Sequence, residues 1–211
     1  AGGLDRTALA RHRARAFAGP DPALFLHEDA AAEVEERRAM VKRTFTAPAV
    51  VTGAPAFWRE AMPEARVVPD DEVLDLVPGA HDLVVHALSL HWAEDPVGQL
   101  VQARRALQPD GLLIAVTLAG QTLSELRQAL ATAEARRRGG LSPRVVPMGE
   151  IRALGALLQR AGFALPVADG FTPVTAARPF RAGLPRGVAR GVLADLSAEG
   201  ALDAGVVDAL L

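Results

Sequence analysis

The chain has no cysteine. That excludes disulfides, thiolate zinc sites and a cysteine nucleophile together. Lysine is confined to Lys42, so almost all basic charge is arginine, and Ala, Gly and Pro are abundant. This resembles the coding bias of a GC-rich bacterial genome. The five histidines are scattered and form no His-x-x-x-His pair, so neither a helix-borne metal pair nor the facial triad of metal-assisted hydroxylation is supported. There is no Gly-x-Ser-x-Gly elbow for a hydrolase nucleophile. With a formal net charge of -2, the chain lacks the broad basic surface of a nucleic-acid module. No apolar run approaches the roughly 20 residues of a membrane span and no signal peptide is visible, so any membrane contact is expected to be peripheral or through a partner. Arg6, Arg11, Arg13 and Arg15 resemble the basic face of a transit peptide. A solvated helix is the better reading, because a second charged helix follows closely.

What is present suits one domain with a helical appendage: 211 residues, half of them apolar, enough for a sizeable core. Residues 4–18 and 28–43 read as two polar helices on the outside of the core, split by Gly19-Pro20-Asp21-Pro22. From Ala47 onward short apolar runs alternate with helices, the signature of a parallel α/β sheet. Ala49-Val50-Val51 and Arg66-Val67-Val68 are strands around a short helix at 56–62, and His81 to Leu88 is a strand buried on both faces. Asp95-Pro96 caps a helix whose apolar face carries Val97, Leu100, Val101 and Leu107. A turn at Pro109-Asp110-Gly111 leads to a strand at 112–118. Thr122-x-x-Glu125 is a capping-box pattern opening a long helix that Gly139-Gly140 ends. Ile151, Leu154, Leu158 and Ala161 mark another helix, stopped by Gly162. A last strand is expected at 163–167, with further helices around 192–196 and 206–211.

The segments HDLVVHALSLHW and DPVGQLVQARRALQPDGLLIAV resemble the fourth strand, following helix and fifth strand of class I S-adenosylmethionine (SAM) dependent methyltransferases, with Leu107-Gln108-Pro109-Asp110-Gly111 as the turn before the fifth strand. AGQTLSELR and RRRGGLSPR, with the Arg-rich N-terminal helix after Leu4-Asp5-Arg6, narrow this to a methyltransferase-like family related to the biotin-pathway carboxyl methyltransferases. The resemblance covers roughly three quarters of the chain. It implies a link to respiratory complex I, since the family's mitochondrial members assist its assembly as arginine hydroxylases.

The family pattern breaks at the cofactor turn. An acidic residue and Gly-x-Gly-x-Gly are the family text, so that the backbone can approach the cofactor's amino-acid end. Here the text is Gly53-Ala54-Pro55-Ala56-Phe57. Pro55 removes an N–H donor, and Phe57 is bulky where glycine is favoured. Only 27 residues separate Gly53 from His81, whereas two helices, two strands and their loops need roughly 40. At least one β-α unit is missing. A second departure lies near Thr175 to Pro179, where the family's hairpin and acidic helix are not seen.

Candidate cofactor-binding residues are Gly53, Asp70, Asp71, Ser89, His91 and Trp92. Asp70, Asp71 and Glu72 either imitate a ribose-binding carboxylate or form the solvated cap of a short helix at 72–76. His86 reads as a satisfied core histidine, and His91 and Trp92 as a rim suited to stacking on a ligand or partner, or Trp92 as a plug of the core edge. His81 and Asp82 are expected near the surface. Arg136, Arg137 and Arg138, with Arg144, are either compensation of a helix C-terminus or a partner-docking patch. No catalytic or metal residue is assigned. The expected fold is a truncated Rossmann-like SAM methyltransferase α/β fold (47–175) with N-terminal helices (1–46) and a helical C-terminal tail (176–211). The expected function is a non-catalytic scaffold or accessory protein of respiratory complex I, without a cofactor, cytoplasmic in a bacterium and reaching the inner membrane through a protein complex. The alternative is a SAM-dependent methyltransferase or hydroxylase with a shortened pocket.

Overall fold

The computed structural model describes residues 4–41, 43–140, 148–149 and 151–163. Two compact units are present: Ala1–Ala119 with Gly149–Asp169, and Gly120–Met148 with Gly170–Leu211. In the first unit α1 (Arg6–Phe17) and α2 (Phe25–Met40) precede β1 (Pro48–Thr52), α3 (Pro55–Ala61), β2 (Arg66–Pro69) and β3 (His81–Ala87). A single 3-10 turn at Leu90–Trp92, α4 (Pro96–Ala106), β4 (Leu107–Val116) and α6 (Ile151–Arg160) complete it. In the second unit the described helix is α5 (Ser124–Arg138). The last strand and tail helices expected beyond residue 163 lie outside the described residues.

The sheet is parallel with order β2-β1-β3-β4. β1 and β3 are its centre, and every residue of both is buried. Their Val-rich runs do not alternate because both faces are covered. On one face Ala103 and Ala106 of α4 pack with Leu74 on Ala49, Val51, Val68 and Val84. α6 packs on α4 through Leu157 and Leu158, with Ala161 just beyond its end, around Leu100.

Between β2 and β3 the structure has no β-α unit of the kind the resemblance would place there. Residues 70–80 run directly from one to the other with no helix and no strand. The helix expected at 72–76 is therefore absent, and its reason is visible in α4. Gln99 and Gln102 are one turn apart and face this segment. Gln102 accepts from the Leu74 N–H at 2.8 Å and donates to the Glu72 carbonyl at 2.9 Å. Gln99 donates to the carbonyls of Asp71 at 3.0 Å and Asp70 at 3.4 Å. Two side-chain amides thus satisfy backbone groups that a helix would have paired internally.

Other expectations change as well. His81 and Asp82 are buried, not at the surface. The Asp82 carboxylate accepts from the N–H groups of Thr46 at 2.6 Å and Ala47 at 3.0 Å and from Thr46 Oγ1 at 3.1 Å, pinning the entry to β1. Burial pushes its pKa up, but these hydrogen bonds outweigh burial and hold it below the usual carboxylate value. α2 is not wholly outside the core, since Ala30 and Val34 are fully buried, whereas α1 buries only Leu9. The strand expected at 112–118 begins earlier, at Leu107, and the Pro-Asp-Gly turn is absorbed as an irregularity in its pairing with β3, with Asp110 at φ 62. α5 starts at Ser124 behind a left-handed Leu123, so Thr122 is not its N-cap residue, while Gly139 ends it as expected at φ 66. Asp95 caps α4 as expected, accepting from the Gly98 N–H at 2.8 Å.

Gln99→Leu should lower unfolding stability by about 3 kcal/mol, because it strips partners from two carbonyls and from a buried histidine at once. Urea denaturation measures this; a change within a few tenths of a kcal/mol would show that the amide does not hold the segment.

Candidate functional site

Register builds the site. Thr52 of β1 pairs with Pro69 of β2 and with Ala87 of β3. The next residues, Gly53, Asp70 and Leu88, therefore share one level on the carboxyl rim of the sheet, the edge where open α/β sheets bind ligands. A cleft of about 490 Å³ lies there, lined among others by Leu9, Arg13, Phe17, Gly53, Leu88 and Trp92. Leu88 takes the left-handed conformation at φ 50, and its N–H donates to the Val116 carbonyl at 2.8 Å. For a non-glycine residue this is a strained turn, and it carries the chain from β3 into the 3-10 turn bearing His91 and Trp92.

The cleft is roofed by α1. Asp5 caps that helix by accepting from the Ala8 N–H at 2.8 Å, and Arg6 and Arg13 are seven residues apart, two turns along one face. Arg13 Nη1 and Nη2 donate to the two carboxylate oxygens of Asp70 at 2.7 and 2.8 Å. Arg6 donates to the Asp70 carbonyl at 2.7 Å and lies 3.6 Å from the Asp71 carboxylate. Asp70 is 3% exposed, so it is not the solvated cap residue of the second expectation; Asp71 is exposed. The Arg13 guanidinium also lies against Gly53: a Cβ there would sit 2.3 Å from Arg13 Cζ. A side chain at this position would displace the guanidinium from where it lies.

Behind Gly53 an aromatic run seals the start of α3. Phe17 meets His27 at 6.4 Å, His27 meets Phe57 at 5.7 Å, and Phe57 meets Trp58 at 5.6 Å between ring centroids. Trp58 is fully buried and its Nε1–H donates to His27 Nδ1 at 3.1 Å. That bond needs His27 unprotonated, and burial, then the Arg13 charge, bring its pKa down to about 4. His91 is likewise lowered to about 4, first by burial and then by Arg13, with Asp70 opposing and His86 adding. Its Nδ1 is 3.2 Å from Thr117 Oγ1, and its ring is tilted on Trp92 at 5.2 Å.

His86 and Ser89 lie beneath the rim. Gln99 spends its amide N–H groups on the carbonyls of 70 and 71, so its oxygen faces His86 Nε2 at 2.8 Å and that nitrogen carries the proton. His86 Nδ1 then faces Ser89 Oγ at 3.2 Å. His86 is the satisfied core histidine expected, and burial lowers its pKa. Ser89 is 1% exposed and does not reach the cleft.

Of the sequence candidates, Gly53, Asp70 and Trp92 come together at the rim, His91 lies beside Trp92, and Asp71 lies outside on the Arg6 side. Arg136 and Arg137 are exposed on the last turn of α5 in the second unit, Arg138 ends that helix, and Arg144 lies outside the described residues. Arg13, His27, Trp58 and Gln99 were not singled out. The one available signal was the seven-residue spacing of Arg6 and Arg13. Among the described residues no cluster of His, Asp or Glu could hold a metal ion.

These residues do not fit SAM as they stand. The glycine turn keeps a single glycine, and an arginine side chain covers it. Pro55 is the first residue of α3 and offers no N–H. Phe57 is committed to His27 and Trp58. The carboxylate at the end of β2 has both oxygens taken by Arg13.

No family model matches the chain. Over 102 residues it is 44% identical to the mitochondrial arginine-hydroxylase NDUFAF5 of Homo sapiens, a stretch covering 48% of this chain and 30% of that protein. Over 105 residues it is 39% identical to the malonyl-(acyl-carrier protein) O-methyltransferase of Laribacter hongkongensis, covering 50% of this chain and 33% of that protein. The chain thus spans about a third of the length of the curated relatives it matches. Among solved structures, a chain of the complex between the Haloferax volcanii Trm112 methyltransferase activator and a methyltransferase superimposes with a TM-score of 0.52 at 14% identity, over 83% of each chain. That likeness concerns the fold alone: a Rossmann-like parallel sheet flanked by helices, four strands wide among the described residues.

Because His27 and His91 are held near pKa 4 in the folded chain and titrate near 6.5 when unfolded, the unfolded chain binds more protons below pH 6.5. Stability should therefore be full above pH 6.5 and decline as pH falls toward 4. Urea melts between about pH 7 and 5 should show this slope, reduced by one proton in His91→Gln; a flat profile in the parent would contradict the buried neutral histidines.

Proposed function

We propose that this chain, related in sequence and fold to the class I SAM-dependent methyltransferases, is a non-catalytic scaffold or accessory protein acting in the assembly of respiratory complex I. The observation that carries this reading is the Arg13 guanidinium, held by Asp70 and seated on Gly53, where a methyltransferase of this fold would receive its cofactor. The shortened path from β2 to β3 supports it, as it removes a β-α unit from the same wall. The reading of the partner is supported by the relatedness to NDUFAF5 over about half of the chain and by the family's link to that complex. Arg136, Arg137, Arg138 and Arg144 are the docking residues of this reading. Among the described residues no helix is long and apolar enough to cross a membrane, so association with a membrane complex at the bacterial inner membrane would run through protein contacts.

A second reading has its own observation. A glycine after β1 and a carboxylate after β2 are both retained, and the arginine between them comes from a helix with one buried residue. Displacement of that arginine would leave a SAM-dependent methyltransferase or hydroxylase with a shortened pocket.

Calorimetry with SAM separates the two. The scaffold reading expects no binding at millimolar SAM, and native purification that brings down complex I subunits. Micromolar SAM affinity, with a rise in Tm by mass action that Gly53 or Trp92 substitutions abolish, would overturn it in favour of the enzyme.

A further inference from the structure

We infer that α1 is a lid over the carboxyl-rim cleft, latched by Arg13 on Asp70 and released when that ion pair is weakened. This goes beyond the reading above, since it holds whether or not SAM binds.

A helix stays docked in water mainly through an apolar face. α1 has almost none: Leu9 is its one buried residue. Its attachments are polar and converge on two neighbouring residues. Arg13 grips the Asp70 carboxylate, and Arg6 takes the Asp70 carbonyl and lies near Asp71. Phe17 adds an edge contact on His27, and is itself 37% exposed. The link to α2 through Gly19, Pro20 and Asp21 is exposed.

The floor is built differently. Asp70 is tied from behind by Gln99, which belongs to α4 and is bonded in turn to His86. When α1 lifts, the carboxylate stays at the end of β2 and is hydrated, so the opened state leaves no buried unpaired charge. The latch is electrostatic and partly exposed on the arginine side, at 22% for Arg13 against 4% for Asp70. Screening by salt and removal of either charge are therefore its natural triggers. Gly53 supplies an independent lever. An added Cβ would meet the guanidinium at 2.3 Å, pushing Arg13 off its seat while leaving both charges in the chain.

Amide hydrogen exchange on the whole chain tests this, comparing α1 with β1 and β3 as internal standards. Raising salt from about 0.05 M to about 1 M should speed exchange in α1 by about tenfold with the strands unchanged. Arg13→Gln and Gly53→Ala should each do the same at low salt. The inference fails if α1 exchanges at the rate of the strands, if salt and both variants leave it unmoved, or if Arg13→Gln loosens the strands equally. The last outcome would make Arg13 a structural residue. These outcomes are read from amide exchange with no SAM present, and the scaffold reading from SAM calorimetry, so failure of the lid and failure of the scaffold reading are distinguishable.

Discussion

A carboxylate with almost no access to water must be neutralised, because an unpaired charge in that position costs several kcal/mol even after relaxation. Asp70 is such a group, placed by the register of β1 and β2 at the carboxyl rim, and Arg13 is the cation that meets it. Most of the local architecture answers to this pair. α1 lies over the rim because its arginines must reach residues 70 and 71. At residue 53 the guanidinium occupies the space a side chain would take. His27 and His91 stay neutral in part because the same positive charge is close.

The pair in turn depends on α4. A segment that crosses from β2 to β3 without a helix leaves its backbone groups without helical partners, and other groups must take them up. Gln99 and Gln102 do so with their side-chain amides, and Leu74 fills the apolar gap. Two glutamines on the neighbouring helix thus hold a crossing that has no helix or strand of its own. Gln99 also sets the His86 tautomer, so the rim, the shortened crossing and the core of β3 form one hydrogen-bonded assembly.

Much of the fold was legible in the sequence. The apolar runs at Val50 and at Leu83 to Val85 are long and unalternating because both faces are covered, and the Asp95-Pro96 start is a local device that works as written. The missing unit was legible as a length, 27 residues where two helices and two strands would not fit. Long-range pairings were not legible. Asp70-Asp71-Glu72 reads locally as a helix cap, and only the amides of residues 99 and 102 explain why no helix follows. Arg13 and Asp70 are 57 residues apart, and nothing in either neighbourhood marks the other. Asp82 reads locally as a surface residue for the same reason: its partners, Thr46 and Ala47, lie on another strand's approach.

The account rests on a cleft occupied from within, and the state of the Arg13 guanidinium reports on that directly. Nitrogen-detected NMR of the arginine side chains should show separate, slowly exchanging Nη protons for Arg13, since both Nη groups are held by Asp70. In Asp70→Asn they should merge into one averaged signal. A single averaged, rapidly exchanging signal for Arg13 in the parent chain would contradict the account.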